Sequence, residues 1–218
     1  MFGTFEKKPT NMALYVAVLG EFAPKMFYPH WFVRQNIIDN SEIENIPFAT
    51  TNDYASIEFS YAKFEARKEF IVFETDQIGF LGQTMDLVNV VLSSLKNLPL
   101  KRVEAHVLTH FEVGIGRDFI NNIAANTFWN DIAGETYDCS EVEIEIPSPN
   151  APNNQKMIVS VGICPKDSKH IHLNIRNRRT YSKDSLIKDI TANVSDDLKN
   201  LFNDSIHTIN KIRNYEFS

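Results

Sequence analysis

Three stretches of this chain alternate apolar and polar side chains with a period of two, and that pattern commits it to β-sheet. Ile57, Phe59 and Tyr61 alternate with Glu58 and Ser60; Val142, Ile144 and Ile146 alternate with Glu141, Glu143 and Glu145. Between Arg102 and Val113, the side chains of Val103, Ala105, Val107 and Phe111 share one face. Successive residues of a strand point to opposite sides, so each of these segments buries one face and wets the other. A mostly antiparallel sheet accommodates that arrangement.

The remaining segments fill in around these. Met12 to Gly20 is apolar on both faces, as a central strand requires. Pro29 suits the first turn of a short helix running to about Ile38, followed by a polar connection over 40–53. Arg67 to Glu69 read as a turn into a strand at Phe70 to Thr75. Thr84 can cap a helix whose Val88, Val91, Leu95 and Leu98 fall at helical spacing, with Pro99 as its stop. The first half thus reads β-α-β-β-α-β, a ferredoxin-like or split βαβ order. The second half reads α-β-β-β-α. It has a helix near Asp118 to Trp129, strands at Met157 to Ile163 and Ile171 to Ile175, and a C-terminal helix capped at Ser195 or Asp196. The class is α+β. No linker separates the halves, so residues 1–218 are expected to form a single domain, with 1–115 and 116–218 as the alternative division into subdomains.

With 218 residues, 43% of them hydrophobic, the chain can bury a core without a disulfide or a metal. A net charge of −6 argues against a general nucleic-acid binder, which presents a basic field. Cys139 and Cys164 form no C-x-x-C pair and read as free thiols, a single cross-strand disulfide being the other reading. Lys7 and Lys8 before Met12 to Leu19 imitate a signal peptide, but Glu6 interrupts the basic region and no small-x-small cleavage site follows. No apolar run approaches the roughly 20 residues a membrane helix needs. A cytoplasmic protein that engages no membrane is expected.

Few motifs carry chemistry. Gly114-Ile-Gly116 lacks the rest of a phosphate loop and reads as a turn. His106 and His110 would lie about 13 Å apart on one strand face, too far to share an ion. His170 and His172, about 6.6 Å apart on one face, could ligate jointly, but a third ligand has to come from another element. No metal and no cofactor are therefore assigned. No nucleophile elbow is present, and the glutamates at 141, 143 and 145 read as the wet face of a strand. Arg176, Arg178 and Arg179 form the one concentrated basic stretch, and two of them continue the face of His170 and His172. Arginine forks suit carboxylate and phosphate partners. These five residues are the expected partner-binding set, with a solvated strand end as the plainer reading. The aromatic segment Phe22 to Phe32 reads as a core-filling connection, with a partner-facing patch as the alternative.

That segment also carries a resemblance. Gly20, Phe22, Pro24, Phe27, Pro29, Trp31 and Phe32 match a G-x-F-x-P-x-x-F-x-P-x-W-F opening found in a family of small uncharacterised bacterial proteins. His110-Phe111, in a strand after a proline-terminated helix, extends the likeness over about the first 115 residues. The resemblance implies a common fold and a bacterial or phage origin, and no activity comes with it. The expected role is a non-catalytic binding or assembly component of a multi-protein system, phage defence among its settings. Its partner would be a protein with an acidic surface or a second copy of the chain. The alternatives are an enzyme centred on His170 and His172, and a nucleic-acid module using Arg176, Arg178 and Arg179.

Overall fold

In the computed structural model, nine strands form one open sheet in which every neighbouring pair is antiparallel. The order across the sheet is β2-β3-β4-β5-β1-β6-β9-β8-β7. The structure describes residues 2–124, 141–147, 154–164, 167–182 and 185–214. The strands are β1 (Asn11–Gly20), β2 (Phe48–Thr50), β3 (Tyr54–Glu58), β4 (Lys63–Arg67), β5 (Phe70–Thr75), β6 (Leu100–Glu112), β7 (Glu141–Pro147), β8 (Gln155–Ile163) and β9 (His170–Thr180). The described helices are α1 (Pro29–Arg34), α2 (Leu81–Ser94), α3 (Gly116–Ala124) and α4 (Ile187–Arg213).

The α+β class and the antiparallel sheet agree with the sequence, but the ferredoxin-like order does not. A split βαβ needs parallel neighbours joined by long crossovers. Here β2 to β5 form a meander closed by short turns, and β1 lies between β5 and β6, antiparallel to both. The alternation at Ile57, Phe59 and Tyr61 concealed two strands. Chain reversal falls at Phe59, whose N–H donates to the Ala62 carbonyl, and β4 follows as a separate strand.

Helix boundaries moved for local reasons. The α2 helix starts at Leu81, and Thr84 turns its hydroxyl back onto the Phe80 carbonyl instead of capping. The C-terminal helix α4 begins at Ile187, ahead of Ser195 and Asp196. The α1 helix stops at Arg34, and Asn36 takes a left-handed φ of 56°. The expected helix over Asp118 to Trp129 lies partly outside the described residues, as does Cys139.

Alternation sets the two sides of the sheet. On β6 the side chains of Val103, Ala105, Val107, Thr109 and Phe111 are buried, and on β9 so are Ile171, Leu173, Ile175 and Asn177. All four described helices lie on this side. The aromatic segment packs here as a connection under the sheet. Phe27, Trp31 and Phe32 are buried, and Phe27 meets Phe64 of β4 with ring centroids 5.0 Å apart. Asn177 ties β9 to α4 by donating to the Leu201 carbonyl at 3.2 Å. The N-terminal segment is strapped to α4 in turn, with the Gly3 N–H on Asn203 Oδ1 at 2.7 Å.

Trp31 packs edge-on against Phe27 and Phe32, at 5.1 and 4.8 Å between centroids. Trp31→Ala removes those contacts and should cost about 3–5 kcal/mol, a drop in Tm of roughly 6–20 °C for a chain of this size. Thermal unfolding followed by circular dichroism measures this; a Tm within one or two degrees of wild type would place the segment on a surface.

Candidate binding face

The other side of the sheet has no helix over it among the described residues. A continuous lattice of side chains spans it. Cross-strand register runs Lys63, Glu74, Tyr15, His106, Arg176, Ile158, Glu145 from β4 to β7. Along β1 the face is apolar, with Ala13, Tyr15, Ala17 and Leu19 flanked by Phe70 and Val72 of β5 and Leu108 of β6, all half-buried. Charged side chains lie to either side.

The five residues singled out from the sequence separate here. His170, His172, Arg176 and Arg178 line the open face of β9. That strand is interior, between β6 and β8, so they are not at a strand edge. Arg179 points to the helix side, where it pairs with Asp197 of α4, and the Tyr181 hydroxyl donates to the same carboxylate at 3.4 Å. Burial and the charge of Asp197 raise the Tyr181 pKa, so the phenol stays protonated. Arg179 is therefore an internal tie.

The arginines on the open face are also partnered. Arg176 Nη2 lies 2.7 Å from Glu143 Oε2, and Arg178 Nη2 lies 3.6 Å from Glu145 Oε2. Glu141, Glu143 and Glu145 are not merely a wetted face; from β7 they reach across β8 to β9. For Glu143 and Glu141 the small size of the intervening β8 residues lets them do so. Ser160 donates its hydroxyl to Glu143 at 2.8 Å on the way. Gly162 leaves its place to the His172 ring, since a Cβ there would sit 2.4 Å from His172 Cε1. His172 Nε2 in turn lies 3.7 Å from Glu141. Sequence spacing could not show that these glutamates and bases face one another, because the pairing depends on the order of β7, β8 and β9.

Glu104, missed in the sequence because it is one of several polar positions alternating along β6, is the most enclosed carboxylate of the face, 8% exposed. It holds His106 Nε2 at 2.7 Å and Arg102 Nε at 2.5 Å. Burial alone would raise its pKa. The hydrogen bond and charge of His106, with Arg102 and Arg178, outweigh burial and hold the carboxyl below the ordinary carboxylate range.

At the far end of β6 the register pairs His110 with His172 and Glu112 with His170. The His110 and His172 ring centroids are 6.3 Å apart. Burial first, then the nearness of His172 and His170, pushes His110 below the usual imidazole value. His170 Nδ1 lies 3.0 Å from Asp167 Oδ2 in the turn before β9. Cys164 is free among the described residues. Gly114, in the turn after β6, takes a φ of 83° that favours glycine. The Gly116 N–H at the start of α3 is spent on the Ser168 carbonyl at 2.8 Å, so it does not serve an anion. An open hollow of about 640 Å³, lined by residues including Gly20, Phe22, Lys68 and Lys101, sits nine residues back along β6, about 30 Å from His110. The histidines are not in it. No helix among the described residues is long and apolar enough to cross a membrane.

No protein-family model matches the chain, and no curated protein matches it either.

Two outcomes follow from these pairs. The folded pKa of Glu104 lies below its unfolded one, so its contribution to stability is complete above the unfolded value of about 4.3 and is lost as pH falls through the folded value. Glu104→Gln should be less stable than wild type at pH 7, with the gap closing as the pH is lowered toward 3; denaturant unfolding across that range reads it, and parallel profiles would contradict the assignment. Arg179→Ala strands Asp197 and should cost roughly 1–3 kcal/mol, whereas Arg176→Ala, at a more exposed pair, should cost under about 1 kcal/mol. Equal losses would contradict the split between the two faces.

Proposed function

We propose that the protein is a non-catalytic binding or assembly component of a bacterial or phage multi-protein system, and that the open face of the sheet is its contact surface. One observation carries this reading. The face has an apolar strip along β1, flanked on one side by Lys63, Glu65 and Glu74 and on the other by Arg102, Glu104, Arg176 and Arg178. A protein interface has the same anatomy, a less polar centre inside a charged rim. A face built only for water would not need Tyr15, Leu19, Phe70, Val72 and Leu108 side by side on it.

Many of the face's charges are already paired, along a strand as in Lys63–Glu65 and Arg102–Glu104 or between strands as in Arg176–Glu143, which presents a pre-formed surface and lowers the ordering cost of binding. Arg176 and Arg178 remain the groups a protein partner with an acidic surface would engage, by sharing or replacing the β7 carboxylates. Those same carboxylates disfavour a nucleic-acid backbone, since Glu143 and Glu145 would face the phosphates. Rim charges chiefly set association rate and salt sensitivity.

Affinity capture from the native host tests the reading, with wild type and the Arg176→Ala/Arg178→Ala variant compared at equal protein. The variant should keep its Tm within a few degrees and lose most of the associated protein. Capture by wild type should weaken as ionic strength rises from about 0.05 to 0.5 M. The same proteins recovered by both forms, at every salt concentration, would overturn the assignment of this face.

A further inference from the structure

The strand β9 carries His170 and His172 with one residue between them, on the open face. The element that could add a third ligand, which the sequence cannot name, is β6. In the ladder His110 stands directly opposite His172, and Glu112 directly opposite His170. Four ligand-type side chains therefore occupy the corners of a rectangle. It measures about 6.6 Å along each strand and about 5 Å between them, all on one face. His106 belongs to the same face but lies four residues away and is engaged with Glu104.

Two details of the geometry resemble a ligand set more than a solvated one. His170 Nδ1 is held by the Asp167 carboxylate at 3.0 Å, which leaves Nε2 as its free nitrogen. Ligating histidines are oriented by this kind of carboxylate contact on the nitrogen that does not bind the ion. Asp167 is itself fixed, accepting the Lys169 N–H at 2.9 Å. Second, His172 stands between two groups that could hold its ring. It now lies over Gly162 toward Glu141, at 3.7 Å, and rotation about its side-chain bonds returns it toward His110, whose ring centroid is 6.3 Å away.

Among the described residues no three of these side chains yet surround one point. The sheet beneath them is complete without an ion, so the site would be filled by side-chain rotation and not by folding. We propose that His110, His170 and His172, with Glu112 beside them, bind a first-row divalent transition ion such as Zn²⁺ on the open sheet face. Three imidazoles are an established zinc set, and with the fourth position toward solvent the ion is exchangeable. The proposal goes beyond the assembly reading and stands or falls separately from it, because it needs no partner.

The test uses the full chain freed of metal with a chelator. Circular dichroism and Tm of the stripped protein should match those of protein that was never treated. Titration with Co²⁺, followed by its visible absorption, and with Zn²⁺, followed by calorimetry, should show saturable binding of one ion per chain. His110→Ala and His172→Ala should each raise Kd by at least about tenfold, and Asp167→Asn by about 10–100-fold. His30→Ala, on the exposed side of α1, should leave Kd unchanged. If the alanine variants misfold, His110→Gln and His172→Gln take their place. Absence of saturable binding by wild type overturns the proposal, as does a folded His110/His172 double variant that binds as wild type does.

Discussion

Everything in this structure hangs on β6. Thirteen residues long, it hydrogen-bonds to β1 on one side and β9 on the other, and so joins the strands of the first half of the chain to those of the second. Its alternation decides which side of the sheet is dry. Val103, Ala105, Val107 and Phe111 give α4 an apolar floor, and the same period places Glu104, His106, Leu108 and His110 on the opposite side. A one-residue slip would exchange the two faces, drive Glu104, His106 and His110 under the helices, and cost far more than any single contact on the surface. The open face is thus as strictly specified as the core, although nothing in the described structure covers it.

Much of the fold was legible for the same reason. Period-two patterns located β6 and β7, the apolar runs located β1, β8 and β9, and helical spacing located α2. What failed was topology and punctuation. Residues 57–61 look like one alternating strand because alternation continues through the turn at Phe59, and β4 was hidden behind it. Thr84 has the chemistry of a cap, but its hydroxyl is equally able to bond the carbonyl four residues back within a helix, and here it does. The βαββαβ reading followed from element order alone. Which strands become neighbours depends on turn lengths that composition does not reveal.

Of the five residues singled out on β9, four share the open face and Arg179 turns to the helices. The histidines and arginines of β9 were singled out from local density. Density left a partner-binding set and a solvated strand end as the two readings, whereas β9 is interior and each arginine faces a carboxylate, Glu145 being shared between Arg178 and Lys156. The cross-strand glutamates, the room left by Gly162, and the pairing of His110 with His172 all arise from strand order, so one-dimensional spacing could not contain them. The consequence for function is a surface whose charges are already matched. Such a surface rewards a partner that both matches the Arg176 and Arg178 charges and covers the apolar strip along β1, and that double requirement favours specificity over indiscriminate charge binding.

The central claim is that the uncovered face of the sheet is a contact surface in the cell. Thiol labelling in place tests it most directly. With Cys139 and Cys164 replaced by serine, single cysteines at Tyr15→Cys, Leu108→Cys and Asn174→Cys report on the open face, and Lys199→Cys reports on α4 across the sheet. Maleimide labelling rates are then compared between purified protein and intact host cells, using a membrane-permeant reagent. Ready labelling is expected at all four positions in the purified protein and, in cells, selective protection of the three on the open face. Equal rates at those three positions in both settings would mean that the face is simply wet.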